Sequence, residues 1–346
     1  MTVEAGASEP QATLRHYALQ SPAVLGRNEV GFMNDNWLVA DGASGERYLL
    51  RAYRRVRDAR RIAFQLAFQA HLLAGGFPTS TVVKTRSGEP FASTGGLHWA
   101  LFGFVEGEEF DFTRLEQSRE AGKRLAQFEA IAAGYAGPVV EPPVVEVATW
   151  LAPVSSHVWR ASVLTDQHEE RLRELHAGPD YAGDLAFFSA WRREAAQAWP
   201  VERLAALPDA WLHCDYHGRN MVFQGDDLAG LFDFDFVGRG PRVFDVARGV
   251  FNFGREYRGS TMLREESCHA FLEGFESLEP LSHEERHALP FMAVLNWAPD
   301  AAFDAARQQE PGDPGAGSRL QFAVRMMHAI QAELRRLAPQ FGWGDA

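Results

Sequence analysis

The chain begins with short runs in which apolar and polar residues alternate, and it continues with longer runs in which apolar residues recur at helical spacing. Alternation is typical of strands, whereas recurrence every three or four positions is typical of amphipathic helices. Residues 23–39 predict two strands around a turn rich in glycine and asparagine, and residues 46–53 predict a third strand. A helix is predicted over residues 55–75, where the sequence Gly75-Gly76-Phe77-Pro78 ends it.

A second strand pair is predicted over residues 81–105, after which a glutamate-rich tetrapeptide interrupts the apolar pattern. We therefore place a boundary there, between an N-terminal lobe of residues 1–105 and a C-terminal lobe of residues 106–346. Residues 1–20 are small and polar, and we interpret them as a loose arm.

The C-terminal lobe is predicted to be mainly helical, apart from one hairpin near its centre. Pro290 and Pro299 are expected to start, kink or split one of its helices. The predicted helices cover residues 115–135, 184–199, 246–253, 261–275, 283–306 and 320–337. The pattern as a whole indicates an α+β protein with a strand-rich lobe followed by a helical lobe.

Composition narrows the class of protein without identifying it. A hydrophobic content of 46% with 23% charged residues is that of an ordinary soluble globular protein. The net charge of −12 argues against a nucleic-acid binder, because phosphate backbones attract a clustered positive surface. The two cysteines give no disulfide framework, and no apolar run is long enough for a membrane span. We expect a cytoplasmic protein that binds neither nucleic acid nor membrane.

The candidate chemistry lies in residues 211–235. Asp215 and Asn220 are spaced as D-x-x-x-x-N, and a predicted hairpin then leads to Asp233-Phe234-Asp235. Because a hairpin returns the chain to its starting end, Asn220 and Asp233 should be neighbours in space. Their oxygens are suited to bind a hard cation or accept a proton. The alternative is that Asp215 and Asp233 are simply solvated loop acids.

Two further features of the sequence are weaker signs of a binding site, and each has an ordinary structural explanation. The turn containing Gly26, Gly31 and Asn34 would let backbone N–H groups approach a phosphate, yet glycine spacing of this kind is also that of an ordinary hairpin. The sequence contains neither a P-loop motif nor the glycine motif of dinucleotide-binding folds. His213, Cys214 and His217 offer a zinc-site alternative, but a fourth ligand and a second cluster are missing from the pattern.

The order of these features resembles the protein-kinase-like fold. The first part of this order is a hairpin with glycines in its turn, a strand that carries a cation, a helix and an apolar hinge strand. The second part is the motif H-x-D-x-x-x-x-N, a hairpin and the tripeptide D-F-D. It is most similar to the phosphotransferases that include aminoglycoside phosphotransferases, choline kinases and type II homoserine kinases. In that family a second histidine follows the aspartate, as His217 does here. The resemblance implies a bilobal α+β fold that uses ATP and Mg²⁺.

The resemblance also implies roles for the motif residues. Asp215 would accept or orient the proton of the attacking hydroxyl, and Asn220 and Asp233 would hold Mg²⁺ against the nucleotide phosphates. Asp235 would be either an additional metal ligand or a solvated charge. The residues expected to support the site structurally are His213, His217 and Asp245.

Nucleotide binding is implied by position as well, with three departures from the family pattern. The Gly103 carbonyl and the Val105 N–H would recognise adenine at a free strand edge. Arg51 stands where a phosphate-binding lysine is usual, and Gln65 stands where that lysine's glutamate partner is expected. Cys214 replaces a glycine of the catalytic loop.

We expect an ATP-dependent phosphotransferase that acts on a hydroxyl of a small molecule such as an amino alcohol, a homoserine-like compound or an aminoglycoside. Two alternatives stay open: a bacterial protein Ser/Thr kinase of the same fold, and a nucleotide-binding regulator with weak catalysis. Trp297, Asp300 and Asp304 would form an acidic, aromatic pocket for a cationic amine. Alternatively, Trp297 belongs to the core and both acids are solvated.

Overall fold

A computed structural model shows an antiparallel sheet in the N-terminal part and helices in the C-terminal part. The described residues are 5–28, 34–54, 57–140, 170, 173–174, 181–298 and 318–343. The strands are β1 Ala23–Asn28, β2 Asn34–Ala40, β3 Arg47–Tyr53, β4 Val82–Val83, β5 Ala92–Thr94, β6 Leu97–Gly103, β7 Asp209–Leu212, β8 Met221–Gln224, β9 Asp227–Leu231 and β10 Gly238–Pro241. The helices are α1 Ala5–Thr13, α2 Ala59–Ala74, α3 Leu115–Ala132, α4 Ala182–Ala198, α5 Val201–Ala205, α6 Val243–Gly254, α7 Glu265–Glu276, α8 His283–Leu295 and α9 Ser318–Phe341.

The N-terminal sheet has six strands in the order β1-β2-β3-β6-β4, with β5 also paired to β6. Successive residues of β6 face opposite sides, as the alternating sequence predicts. Trp99 and Leu101 pack in a cluster on one side, and Ala100 and Phe102 pack against Ile62 of α2 on the other. The sheet is therefore buried on both faces, and α2 covers the side that faces residue 235, just after the second hairpin strand.

The loose arm expected over residues 1–20 is wrong for residues 5–20. Helix α1 is followed by Leu14 and Tyr17, which are 1% and 0% exposed and belong to the core on the outer face of the sheet. The Tyr17 hydroxyl donates to the Trp99 carbonyl at 2.8 Å. Small and polar composition suggested an arm, but a few apolar residues placed on the uncovered face of the sheet are enough to dock the segment.

The helical part is organised around the pair α3 and α7. A side chain added at Gly122 of α3 would meet the Phe271 carbonyl at 1.9 Å, and one added at Gly274 of α7 would meet the Arg119 carbonyl at 1.9 Å. The two helices therefore approach so closely that only glycine fits at these positions. None of the described helices combines the length and the apolar character that crossing a bilayer requires.

Strands β8 and β9 form the predicted hairpin and lie between the sheet and the helices. The Thr79 hydroxyl donates to the Leu231 carbonyl at 2.7 Å, and the Leu231 N–H donates to the Pro78 carbonyl at 3.0 Å. On the other strand, Phe223 exchanges two backbone hydrogen bonds with Glu108. The segments that lead into and out of the N-terminal sheet thus hold both strands of the hairpin.

Candidate active site

The hairpin brings the two halves of the sequence motif to one end. Met221 pairs with Leu231, and beyond that pair the Phe232 N–H donates to the Asn220 carbonyl at 2.8 Å. Asn220 and the residue that precedes Asp233 are therefore in direct contact. Asp215 joins them because the Asn220 side-chain amide donates to the Asp215 carbonyl at 2.9 Å and to its carboxylate at 3.0 Å.

The Asp215 carboxylate is held by three side chains. Arg248 donates to one oxygen at 2.5 Å, and Asn220 donates to the other. His217 lies 3.3 Å from that second oxygen. Burial by itself would raise the pKa of Asp215, but the positive charge of Arg248 and the contact with His217 outweigh it and hold the pKa well below its usual range. Asp215 is therefore a carboxylate at neutral pH.

His213 shapes the catalytic loop from inside. Burial lowers its pKa to about 4, so the ring is neutral at physiological pH. Its Nε2 lies 2.9 Å from the Phe232 carbonyl, which can only accept, so Nε2 carries the hydrogen. Nδ1 is then free to accept the Asp215 N–H at 3.2 Å. One neutral ring therefore links the loop of Asp215 to the end of the hairpin.

Asp245 anchors the same loop from helix α6, as the resemblance implies. Its carboxylate accepts the His213 N–H at 2.5 Å and the Cys214 N–H at 3.1 Å. Burial raises the pKa of Asp245 to about 6 although both N–H donors favour its charged form. The side chain is 0% exposed and contacts the backbone of the loop, so it positions Asp215 without access to solvent.

The acids after the hairpin are bound by residues of the N-terminal sheet. Arg51 lies 3.2 Å from Asp233 and 3.5 Å from Asp235. Asn34 donates to the Asp235 carboxylate at 2.5 Å. Burial and the charge of Asp233 raise the pKa of Asp235 to about 6. Asp235 is 3% exposed, so its interpretation as a solvated charge is wrong.

Gln65 does not orient Arg51 through the contact that the family pattern suggests. Its amide donates to the Asp235 carbonyl at 3.1 Å, while the Arg51 Nε donates to the Asn36 side chain at 3.1 Å. Arg61, one turn earlier on α2, donates to the carbonyls of Asp235 and Val237 at 2.9 and 2.8 Å. Helix α2 therefore fixes the backbone around Asp235, and two carboxylates replace the expected glutamate as partners of the strand cation.

Two positions of the candidate site have strained backbones. Cys214 and Asp233 have φ values of +62° and +67°, in the left-handed region that favours glycine. This conformation explains why the family pattern has glycine where this chain has Cys214. Strain of this kind costs of order 1–3 kcal/mol and is concentrated at functional sites. Both outliers adjoin or coincide with candidate functional acids.

The expected nucleotide-binding positions are only partly within the described chain. Gly31 lies outside the described residues. Gly26 sits at an irregularity in the pairing of β1 with β2, with open space where a side chain would be. Gly103 is the last residue of β6, and the Val105 N–H finds no backbone acceptor in the part of the chain that the structure describes. Strand β6 is paired on both sides, so the donor available to a ligand lies in the segment that follows the strand.

The residues present fit a magnesium site. Asn220 uses its amide nitrogen on Asp215, which leaves its oxygen free, and Asp233 is 34% exposed. Within the described ranges no group of three or more histidine, cysteine, aspartate or glutamate side chains could hold a metal by itself. Mg²⁺ is typically bound by one or two carboxylates, water and substrate phosphates, so this sparse oxygen set suits it. Both ring nitrogens of His213 contact the loop backbone, which leaves neither for zinc.

A cavity of about 240 Å³ lies beside Asp215. Trp297 does line it, packed against Phe251, but Asp300 and Asp304 lie outside the described residues. The charged side chains of the described wall are mainly arginines. They are Arg219, Arg248, Arg255 and Arg258, together with Glu109. The described part of the wall is thus mainly positive, and the contribution expected of Asp300 and Asp304 stays a prediction.

The comparisons with known proteins agree with this geometry. A family model described as "Phosphotransferase enzyme family" matches residues 25–281. The chain belongs to this family. It is a kinase-type phosphotransferase, and its sheet and helices are those of its structural neighbours.

Several relatives cover most of the chain. A homoserine kinase of Rhizobium etli is 29% identical over 265 residues, 76% of this chain and 74% of the relative. A homoserine kinase of Phenylobacterium zucineum is 28% identical over 263 residues, 76% of this chain and 73% of the relative. Among solved structures, an aminoglycoside phosphotransferase of Alicyclobacillus acidocaldarius has a TM-score of 0.64 at 19% identity, with 96% of each chain covered. A microcompartment-associated aminopropanol kinase has a TM-score of 0.66 at 16% identity, covering 96% of this chain and 98% of that one.

Sequence reasoning missed three arginines. Arg248 contacts Asp215, Arg61 holds the backbone of Asp235, and Arg255 lines the cavity. Helical spacing gives a signal for Arg248, because it follows Asp245 by three residues and so lies on the same face of α6. The other two take their roles from contacts between distant segments, for which the sequence carries no local signal.

Proposed function

We propose that the protein transfers the γ-phosphoryl group of ATP to a hydroxyl group of a small molecule of the homoserine kind. The observation that carries the proposal is the convergence of Asp215, Asn220 and Asp233 at one end of the β8–β9 hairpin, under the N-terminal sheet. The homoserine kinases among the relatives, each matching about three quarters of the chain, support this acceptor class.

Asp215 would receive the acceptor hydroxyl. Phosphoryl transfer demands positioning and charge neutralisation more than covalent participation by the protein. A carboxylate with so low a pKa is a weak base but a good hydrogen-bond acceptor. Asp215 would therefore orient the hydroxyl first and take its proton as the new bond to phosphorus forms.

Asn220 and Asp233 would bind Mg²⁺, with Asp235 as a third oxygen donor behind Asp233. The ion, when bound, supplies positive charge to the phosphate oxygens of the nucleotide. Arg51 already lies between Asp233 and Asp235, and its guanidinium can also donate to a phosphate through its fork. Asn34, through Asp235, would keep the sheet in register with the metal ligands.

The adenine would lie against the end of β6, where the Gly103 carbonyl and the Val105 N–H supply one acceptor and one donor. Gly26 and Gly31 would allow the β1–β2 turn to approach the phosphates. His213, His217 and Asp245 would keep the catalytic loop in place from the opposite side, and Gln65 would do the same for Asp235.

A panel of acceptors tests the proposal. ADP formation would be measured with wild-type protein, ATP and Mg²⁺ in the presence of homoserine, amino alcohols, amino sugars, aminoglycosides and a generic protein substrate. We expect turnover with homoserine-like acceptors. Phosphorylation of the protein substrate alone would indicate a protein kinase, and nucleotide binding without turnover on any acceptor would indicate a regulator; either result contradicts the proposal.

A further inference from the structure

The cavity beside Asp215 has a positive wall. It opens between α6, the catalytic loop and the end of α8, and its residues Arg248 and His217 both contact the Asp215 carboxylate. At about 240 Å³ it lies below the roughly 300–1,000 Å³ of pockets for drug-sized ligands. A small acceptor fits such a space better than a multi-ring antibiotic.

Among the described residues, Arg219 and Arg255 are the arginines of this wall that form no ion pair with a carboxylate, and Arg255 is the less exposed of the two. Its guanidinium lies 4.1 Å from the ring centre of Phe251. Its Nε is buried and makes no hydrogen bond within the described structure. Burial, and then the charge of Arg248, lower the pKa of Arg255 to about 10. The protein therefore holds a guanidinium in an unfavourable environment at the edge of its active site.

Arg248 is only partly satisfied. Its two terminal nitrogens donate to Asp215 at 2.5 Å and to the Asn296 side chain at 3.2 Å, but its Nε is buried without a partner in the described chain. Arg258, by comparison, pairs with Glu109 at 3.2 Å, and both side chains are more than half exposed. Buried donors without acceptors destabilise a fold unless a ligand or water satisfies them. The unmet donors thus belong to the two inner arginines.

The charges of the inner wall do not balance. Arg248 is offset by Asp215, whereas Arg255 adds a positive charge that no described carboxylate offsets. A polycationic or quaternary-amine acceptor would meet repulsion here. An oxyanion would supply both the missing charge and the missing hydrogen-bond acceptors.

We propose that the acceptor carries a carboxylate close to its hydroxyl, and that Arg255, together with Arg248, binds this carboxylate. The inference rests on the proposed function and specifies its substrate class. Because Arg248 directly contacts the aspartate that receives the hydroxyl, the two groups of the acceptor must be only a few bonds apart. Guanidinium forks bind planar carboxylates with two parallel hydrogen bonds, which favours arginine at such a position.

Three acceptors that share a three-carbon chain with a terminal hydroxyl isolate the carboxylate. Homoserine has both charged groups, 4-hydroxybutyrate (called hydroxybutyrate below) lacks the ammonium group, and 3-aminopropan-1-ol (called aminopropanol) lacks the carboxylate. For the wild type we expect kcat/KM to be at least about tenfold higher for the two carboxylates than for aminopropanol. In Arg255→Gln, kcat/KM for the two carboxylates should fall about 10- to 100-fold, mainly through KM, and that for aminopropanol should change less than about twofold.

The matched control is Arg119→Gln, which removes an exposed arginine that is paired with Glu116 and Glu273 and does not line the cavity. We expect it to leave all three acceptors unchanged. Three results would overturn the proposal: a wild type that prefers aminopropanol, an Arg255→Gln variant that weakens all three acceptors alike, or one that raises KM for ATP instead.

Ligand binding separates this proposal from the proposed function. Hydroxybutyrate should raise the Tm of the wild type but not that of Arg255→Gln, whether or not any acceptor is phosphorylated. If no acceptor is phosphorylated but hydroxybutyrate still raises the Tm of the wild type alone, the proposed function is wrong and the carboxylate site stands. An equal shift in both proteins, or none in the wild type, would remove the site. If Arg255→Gln does not fold, Arg255→Lys keeps the charge without the fork and should show a smaller loss in the same direction.

Discussion

The two sides of Asp215 have opposite electrostatic character. On the proposed nucleotide side, the acids Asp233 and Asp235 share one cation, Arg51, and they are suited to bind a metal ion. On the proposed acceptor side, arginines dominate the described wall, and Arg255 forms no ion pair with a described carboxylate. Asp215 lies between them and is paired with the acceptor-side Arg248. Under the proposed function, the metal and the nucleotide would bind on the first side, and the second side would select the acceptor.

The two sides also differ in how they are assembled. The nucleotide-side acids and the catalytic aspartate belong to one hairpin and its two flanking loops, whereas the acceptor wall combines residues from Glu109 to Trp297. Chain continuity through the hairpin brings the first set together. The second set depends on how helices pack, and it can therefore change while the reaction stays the same.

The largest expected effect comes from Asp215→Asn. Loss of the proton acceptor should lower kcat by about 10²- to 10⁴-fold for every acceptor, with or without a carboxylate. The variant should retain its fold, as checked by circular dichroism, because Asn220 can still donate to the Asp215 backbone carbonyl. Turnover above a tenth of the wild-type rate would contradict the assigned role. A loss confined to carboxylate acceptors would show that the two sides are not separable.

A smaller and different effect is expected from Asp233→Asn. In the wild type, Mg²⁺ should tighten ATP binding by at least about tenfold, because the metal joins protein oxygens to phosphates. In the variant this dependence should largely disappear, as measured by calorimetric titration with and without Mg²⁺.

The control for Asp233→Asn is Asp226→Asn, at the turn of the same hairpin. Asp226 is 46% exposed and pairs with Arg114 at 2.8 Å, so its loss should leave the Mg²⁺ dependence intact. Equal behaviour of the two variants would remove Asp233 from the metal site.

The smallest effect is on pH-dependent stability. Burial lowers the pKa of His213 from 6.5 to about 4, so the unfolded state binds the proton first as the pH falls. The contribution of His213 to the free energy of unfolding is therefore fully present above pH 6.5 and is lost as the pH falls toward 4. The loss amounts to at most about 3 kcal/mol. Asp235 and Asp245, whose pKa values are raised to about 6, act in the opposite direction over this range.

A comparison with His213→Gln isolates that contribution, because both proteins retain Asp235 and Asp245. Denaturant unfolding at pH 7 and pH 4.5 should show a smaller loss of unfolding free energy in the variant. Identical pH slopes would mean that the His213 ring is not held neutral between the two loops.

Most of the fold could be predicted from the sequence because alternation and helical periodicity are local. Helix α3 was predicted as residues 115–135 and is observed as Leu115–Ala132, and the predicted hairpin is β8–β9. The order of the motif also predicted the family, which the family match confirms. The prediction of the fold failed where contacts with distant residues order a segment, as they do for α1 and for Tyr17 on the sheet.

The site was predictable to the same extent. The D-x-x-x-x-N spacing and the hairpin together placed Asp215, Asn220 and Asp233 in one region. Neither the binding of Gln65 to Asp235 nor the pairing of Arg248 with Asp215 follows from spacing, because each joins segments that only the packed fold brings together. The sign of charge in the acceptor wall has the same origin.

The most direct test of the account is phosphoryl transfer itself. Wild-type protein, ATP and Mg²⁺ would be incubated with homoserine and with aminopropanol, and the products identified by mass spectrometry alongside ADP release. We predict phosphohomoserine in a one-to-one ratio with ADP and much slower phosphorylation of aminopropanol. ADP release without a phosphorylated acceptor, or preferential phosphorylation of aminopropanol, would contradict the account.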